Sequence, residues 1–162
     1  MAGIGSVPRS LVSKWSGWGP QIQGLLRIMA ALMFMLAGTA ILFAFPAGMP
    51  PNGGTAPILS QIWIGGLLEL VGGGLLLLGL FTRPVAFLLS GEMAVAYFQF
   101  HAPGGFWPTL NGGVPAVLYS FVWLYFSAAG PGPWSLDARR AKGPVGARAL
   151  RPTSLDAPRP GR

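Results

Sequence analysis

The sequence predicts an all-α integral membrane protein: a bundle of four transmembrane helices, with a short interfacial segment before it and an extended basic tail after it. Three observations carry that reading. Only 9% of the 162 residues are charged and 52% are hydrophobic, whereas a soluble domain carries roughly 25% charged residues. Four apolar segments approach the roughly 20 residues that cross a hydrocarbon core. The basic residues other than Arg27, finally, sit at the chain ends and in one connection. The mean hydropathy of +0.55 agrees.

Residues 1–23 form the leading segment. Leu11, Trp15 and Trp18 fall at i, i+4 and i+7, the spacing of a short helix lying in the membrane interface. Gly17 and Gly19 weaken that helix, so a solvated loop is the competing expectation. The expected spans are 24–45, 59–80, 84–101 and 113–129, within a membrane domain of 24–130. Each is closed by Pro and Gly punctuation: "FPAGMPPNGG", "TRP", "HAPGGFWPTLNGG" and "GPGPW" in turn. Trp63, Trp107 and Trp134 lie near span ends, where indoles prefer the interface. Residues 131–162 read as a basic Pro/Arg-rich tail, with 138–162 disordered when alone. The first apolar run starts late and is long enough to span, so no cleaved signal peptide is expected.

The connections 46–58 and 102–112 contain no Lys or Arg, whereas Arg9, Lys14, Arg83 and the tail from Arg139 onward are basic. The positive-inside rule then places both termini and Arg83 in the cytoplasm. Seven of the eleven basic residues follow Ala138. The net charge of +7 therefore reads as topology and attraction to anionic lipids, with no nucleic-acid partner. Absence of cysteine removes disulfides, thiolate chemistry and Cys-ligated clusters, and the single His101 rules out a bis-His haem or multi-His metal site from this chain alone. No metal is expected. The "GGG" at 72–74 follows no strand and precedes no Lys-Ser or Lys-Thr, so it is packing and cradles no phosphate.

Small residues recur every seven positions, at Gly24, Ala31 and Gly38 in the first span and Gly65, Gly72 and Gly79 in the second. Such rows let membrane helices approach closely. At about 100° per residue, Glu69 shares the glycine face and Arg27 the small-residue face, so both point into the bundle. Glu92 shares a stripe with Ala96 and Gln99; Ala116, Ser120, Trp123 and Ser127 form another in the fourth span. A rise of about 1.5 Å per residue puts Glu92 roughly 12 Å, Glu69 roughly 16 Å and Arg27 roughly 5 Å from the cytoplasmic helix ends. Arg27, Glu69 and Glu92 are the expected buried polar network, Arg27 reaching Glu92 more easily than Glu69. The acids are either a structural knot, protonated and hydrogen-bonded, or a functional proton or ligand site. His101 either marks a span end or is a ligand.

The strings "LELVGGGLLLLGLFTRPVAFLLSGEMAVAYF", "HAPGGFWPTLNGG" and "GPGPWSLD" closely resemble the DoxX family of small bacterial membrane proteins, from about Leu25 to Asp137. The resemblance implies a four-helix bundle in the bacterial inner membrane, in a family some of whose members are linked to quinone-dependent sulfur oxidation or oxidative-stress complexes. This chain departs from it at three polar positions. The family's His-Gly-x-x-Lys element late in span one has Ala37 and Ile41 in its place, and the Glu entering span four is Val114. Quinone chemistry needs proton donors and acceptors near the ring oxygens. The expectation is therefore a non-catalytic accessory subunit of a larger respiratory or photosynthetic electron-transfer complex, contacting other membrane subunits through its helices and tail and binding no cofactor alone. The first alternative is a quinone-interacting subunit, with Glu92 and His101 as proton-handling catalytic candidates and Tyr97, His101 and Trp107 forming a quinone or lipid pocket. The second is a small transporter or lipid-binding protein using Arg27, Glu69 and Glu92.

Overall fold

A computed structural model describes residues 16–50 and 52–142. Helix α1 (Gly19–Phe43) starts with Pro20 in its first turn and ends at Ala44, whose N–H returns to Ala40 O. Helix α2 (Gln61–Leu78) is opened by Ser60, whose hydroxyl accepts from the Trp63 N–H at 3.2 Å, and closed by left-handed Gly79 at φ 64°. Helix α3 (Thr82–Ala96) continues through a π-helical turn (Tyr97–His101) and a 3₁₀ turn (Ala102–Gly104). A short α4 (Pro108–Asn111) precedes α5 (Val114–Ala129), and α6 (Leu136–Ala141) starts at Ser135, which accepts from the Ala138 N–H. Among the described residues the only extended pairing is one isolated bridge, Met49 to Gly54.

The connections 44–60 and 102–113 lie at one end of the bundle, the loop end. Residues 79–81 and 130–141 lie at the other, the terminal end, where α1 begins. Helices α1 and α2 are long and apolar enough to cross a membrane, and α5 is a shorter apolar helix. The chain pairs α1 with α2 and α3 with α5, and joins the pairs through α2 and α3. Trp123 sits fully buried at the centre, with Phe34 edge-on at 5.3 Å and Tyr119 stacked at 5.7 Å. Leu76, Ala86, Leu89 and Phe126 complete a dry core. Large apolar side chains such as Met33, Phe87, Leu118 and Phe121 face outward, as expected where the surrounding solvent is hydrocarbon.

The glycines of α2 form one more packing row than the sequence suggests. Gly38 does hold α1 against α2: a Cβ there would lie 2.7 Å from Gly66 O. The α2 glycines facing α1, however, are Gly66, against Ile41, and Gly73, against Met35. Gly72 faces the other way, onto Leu89 of α3. Helix α2 is sandwiched and uses two small-residue rows: Gly65 and Gly72 of the expected row face α3, and a second row through Gly66 and Gly73 faces α1. Gly24 packs on Pro133 and Trp134, and Gly79 is a cap; Ala31 is fully buried as expected.

Two boundaries also shift. The first helix begins at Gly19, so 19–23 belong to the bundle, while Leu11 and Trp15 lie outside the described residues. Residues 131–141 are part of the bundle's terminal end, where Ser135 is only 3% exposed; the tail beyond 142 lies outside the described residues.

Candidate functional site

Polar groups gather at three levels of this apolar bundle. At the terminal end Arg27 is fully buried. Its Nε donates to Pro131 O at 2.9 Å, its Nη2 to Trp134 O at 2.9 Å, and its Nη1 to Leu77 O at 3.0 Å and to Leu76 O. Leu76 and Leu77 close α2, where the last carbonyls lack the regular i+4 donor of the helix interior and carry the negative end of the helix dipole. From the backbone, Leu76 O takes only the capping Gly79 N–H at 3.1 Å. A guanidinium matches several such acceptors at once. The predicted pairing of Arg27 with Glu69 or Glu92 is thereby corrected. The acid whose charge it feels is Asp137, which sequence reasoning missed although it sits in the quoted "GPGPWSLD".

Asp137 itself clamps the start of α3, its oxygens accepting from the Phe81 N–H at 3.0 Å and the Thr82 N–H at 2.9 Å. Partial burial pushes its carboxyl up, but those two backbone amides and the nearby Arg140 charge outweigh burial and hold it below the usual carboxylate range. Arg83 donates to Ser127 O at 3.1 Å and to Ala128 O, closing α5 as Arg27 closes α2. Gln23 adds a bond to Gly130 O at 2.8 Å. Gly79 makes this end possible, since a Cβ there would lie 2.3 Å from the Ser135 Cβ.

At mid-bundle stand the two acids. Glu69 on α2 is 8% exposed, and its Cβ lies 3.1 Å from where a Cβ on Gly38 would be. Glu92 on α3 is partly buried and directs Oε1 toward Gly65, 3.4 Å from the position of a Cβ there. Glu92 and Tyr119 of α5 both lie within electrostatic range of Glu69. The Oε2 atoms of both are buried without a hydrogen-bond partner. The α3–α5 seam beside them is held by Ser90 and Ser120, each hydroxyl donating to the other's carbonyl, at 2.8 and 3.2 Å.

At the loop end a cavity of about 330 Å³ is lined by Ala94, Tyr97, Phe98, Trp107, Val117 and Phe121, among others. It contains two of the three residues predicted to line a pocket. His101 is not part of its wall: its Nδ1 lies 3.2 Å from Asn111 O, and its ring runs near-parallel to that of Tyr97 at 6.5 Å. The Tyr97 hydroxyl donates to Phe106 O. Glu92 and His101, the proton-handling candidates, are therefore separated, one in the α2–α3 seam and one at the end of the π-helical turn, facing Asn111 O. Among the described residues no group of three His, Cys, Asp or Glu is placed to hold a metal ion.

Comparison with known proteins adds a family. The DoxX family profile matches residues 22–102. An uncharacterized protein of Haemophilus influenzae (strain ATCC 51907 / DSM 11121 / KW20 / Rd) is 46% identical over 123 residues, covering 73% of this chain and 90% of its own length. No solved structure matches. With its apolar outward faces, its two spanning-length helices and these matches, the chain belongs to the DoxX family of membrane proteins.

Proposed function

We propose that this DoxX-family protein is a non-catalytic accessory subunit of a larger membrane electron-transfer complex, spanning the bacterial inner membrane four times with both termini in the cytoplasm. The observation that carries the reading is the state of the polar groups around the loop-end cavity. The Tyr97 hydroxyl and the His101 ring face loop carbonyls at Phe106 and Asn111. The Ser120 hydroxyl is turned to Ser90 O. A quinone ring oxygen needs donors free to approach it, and here Tyr97 and His101 are turned to the loop and Ser120 to the α3–α5 seam instead. The apolar Ala37, Ile41 and Val114 stand where the family resemblance implies His, Lys and Glu. What is left to interact is a broad apolar helix surface for other membrane subunits and a basic terminal segment for anionic lipid.

The test is gentle extraction of the tagged protein from its own membranes, followed by native mass spectrometry and an absorption spectrum. Stoichiometric recovery in a large haem-bearing or pigmented assembly is expected. Recovery as a free monomer sinks the subunit reading. A second reading rests on the cavity itself, whose apolar wall with Tyr97 and Trp107 suits the tail of a lipid or quinone. Mass spectrometry of apolar extracts from the purified protein tests it, and a preparation free of any bound lipid or quinone counts against it.

A further inference from the structure

The seam between α2 and α3 carries a file of polar side chains that helix packing does not require. At the loop end Gln61 of α2 donates through Nε2 to Gln99 Oε1, beyond the end of α3, and both are exposed. One turn deeper along α2, Glu92 faces the notch at Gly65. One turn further stands Glu69. Burial rises along the file, from exposed Gln61 through partly buried Glu92 to Glu69 at 8% exposure. The path from Gln61 to Glu69 is about 12 Å along the helix. Beyond Glu69 the seam is shut, because Leu89 fills the space at Gly72, and Leu76, Ala86 and Leu89 are fully buried.

Among the described residues no basic group is placed against the acids. Arg27 is held by carbonyls at the terminal end. Helix α1 presents Gly38 to Glu69, α3 presents Glu92, and α5 presents Tyr119. Both Oε2 atoms are buried acceptors without a donor, and the fully buried Trp123, stacked on Tyr119, keeps an indole N–H without an acceptor. Buried polar groups left open in this way point to an unseen ion or water, and an ionised carboxylate in hydrocarbon requires a partner.

We propose that Glu69 and Glu92 form an acid well, reached from the loop end past the Gln61–Gln99 pair and closed at the terminal end, that binds a unit positive charge: a proton carried by water, or a small monovalent cation in its place. The well loads and unloads from one side only. Glu92 is the outer acid and exchanges first, and Glu69 is the inner acid.

The experiment uses the full chain in lipid vesicles and an apolar carbodiimide, which adds to carboxyls in their protonated form; intact mass and peptide mapping separate the seam from Asp137 and Asp156. Labelling at Glu69 or Glu92 that falls as pH rises from mildly acidic to mildly alkaline supports the well. Sodium chloride, set against choline chloride at fixed pH, separates the two ligands. Several-fold protection by sodium assigns an alkali cation, and equal labelling in both salts assigns protons alone. Labelling must vanish in the double variant Glu69→Gln/Glu92→Gln. If that variant does not fold, Gln99→Leu decides with the acids intact. It should slow labelling by a water-soluble carbodiimide roughly tenfold, the scale of one polar partner removed from a charged path through apolar surroundings, and leave the apolar reagent unaffected. Labelling insensitive to pH, absent from both acids, or unchanged toward the water-soluble reagent in Gln99→Leu overturns the proposal. The assay needs no partner chain, so its failure leaves the subunit reading standing.

Discussion

Replacing Arg27 with Leu tests the terminal-end latch. The substitution keeps an apolar stem of similar reach on α1 and removes the guanidinium that ties three parts of the chain together. Leu76 O retains the Gly79 N–H at 3.1 Å. The carbonyls of Leu77, Pro131 and Trp134 lose the Arg27 donor. Hydrogen bonds to a charged donor contribute about 1.5–3 kcal/mol each. Because these three are only partly buried, about 1–2 kcal/mol each is the better figure, and the sum is about 3–6 kcal/mol. Part of the loss appears as release of the 130–141 segment, since two of the three acceptors belong to it.

The assay is thermal unfolding of the full chain in mild detergent, followed by tryptophan fluorescence, with limited proteolysis of the 130–141 segment alongside. Arg27→Leu should melt earlier and be cut there. Arg27→Lys should recover little, because an ammonium cannot fork to carbonyls in three directions. Added salt should change neither result greatly, because the partners are backbone dipoles shielded by burial. A variant that melts with the wild type and keeps a protected segment would falsify the latch.

Three further outcomes follow from the same geometry. Gly38→Ala should destabilise by about 1–3 kcal/mol, because its Cβ meets Gly66 O, whereas Gly74→Ala, with open space around it, should be neutral or slightly stabilising; thermal midpoints compare them. Tyr97→Phe should lose about 1 kcal/mol and speed amide exchange across 106–111, where its hydroxyl now holds the loop. Asp137 has a carboxyl held below its ordinary range, so its stabilisation is complete above the unfolded-state value and is lost as pH falls through the folded one. Stability should be flat with respect to this group near neutrality and fall in strong acid, and Asp137→Asn should remove that acid dependence.

The four long helical segments were legible because apolar runs and Pro/Gly punctuation are local properties, whereas the short helices Pro108–Asn111 and Leu136–Ala141 fell in stretches read as connection and tail. Ser60 before α2 and Gly79 after it are readable caps, and the helix starts fall within a few residues of the expected ones. The orientation of α2 was not legible. A glycine row defines a face, but Gly65, Gly66, Gly72 and Gly73 offer two faces, and only the tertiary arrangement shows that both are used. Arg27 was misassigned for a related reason. Depth along a helix says how far a side chain can reach, and a carboxylate is the partner a sequence displays. Free carbonyls at a helix end are invisible in the sequence, and the return of Pro131 and Trp134 to Arg27 is a contact across more than a hundred residues. The cavity residues Tyr97 and Trp107 were found through aromatic type and position. His101 was grouped with them as the chain's single histidine and a proton-handling candidate, but its ring faces Asn111 O.

The reassignment of Arg27 changes what the acids can be for. A bundle with one interior cation and two interior anions lowers its energy most by pairing them, and this one commits its cation to carbonyls. Acids left without a counter-charge in hydrocarbon do not stabilise a fold: exchanging buried charged groups for well-packed apolar ones of similar volume is often neutral or stabilising by about 1–4 kcal/mol. Glu69→Met keeps the unbranched stem beside Gly38 and fills irregular space without a charge. It should leave the thermal midpoint unchanged or raise it, while abolishing carbodiimide labelling at the inner position. Gly38→Ala, which touches the same helix contact, should lower the midpoint in parallel. A loss of stability in Glu69→Met as large as that in Gly38→Ala would mean that the carboxyl holds the helices together, and the seam would then be a structural knot.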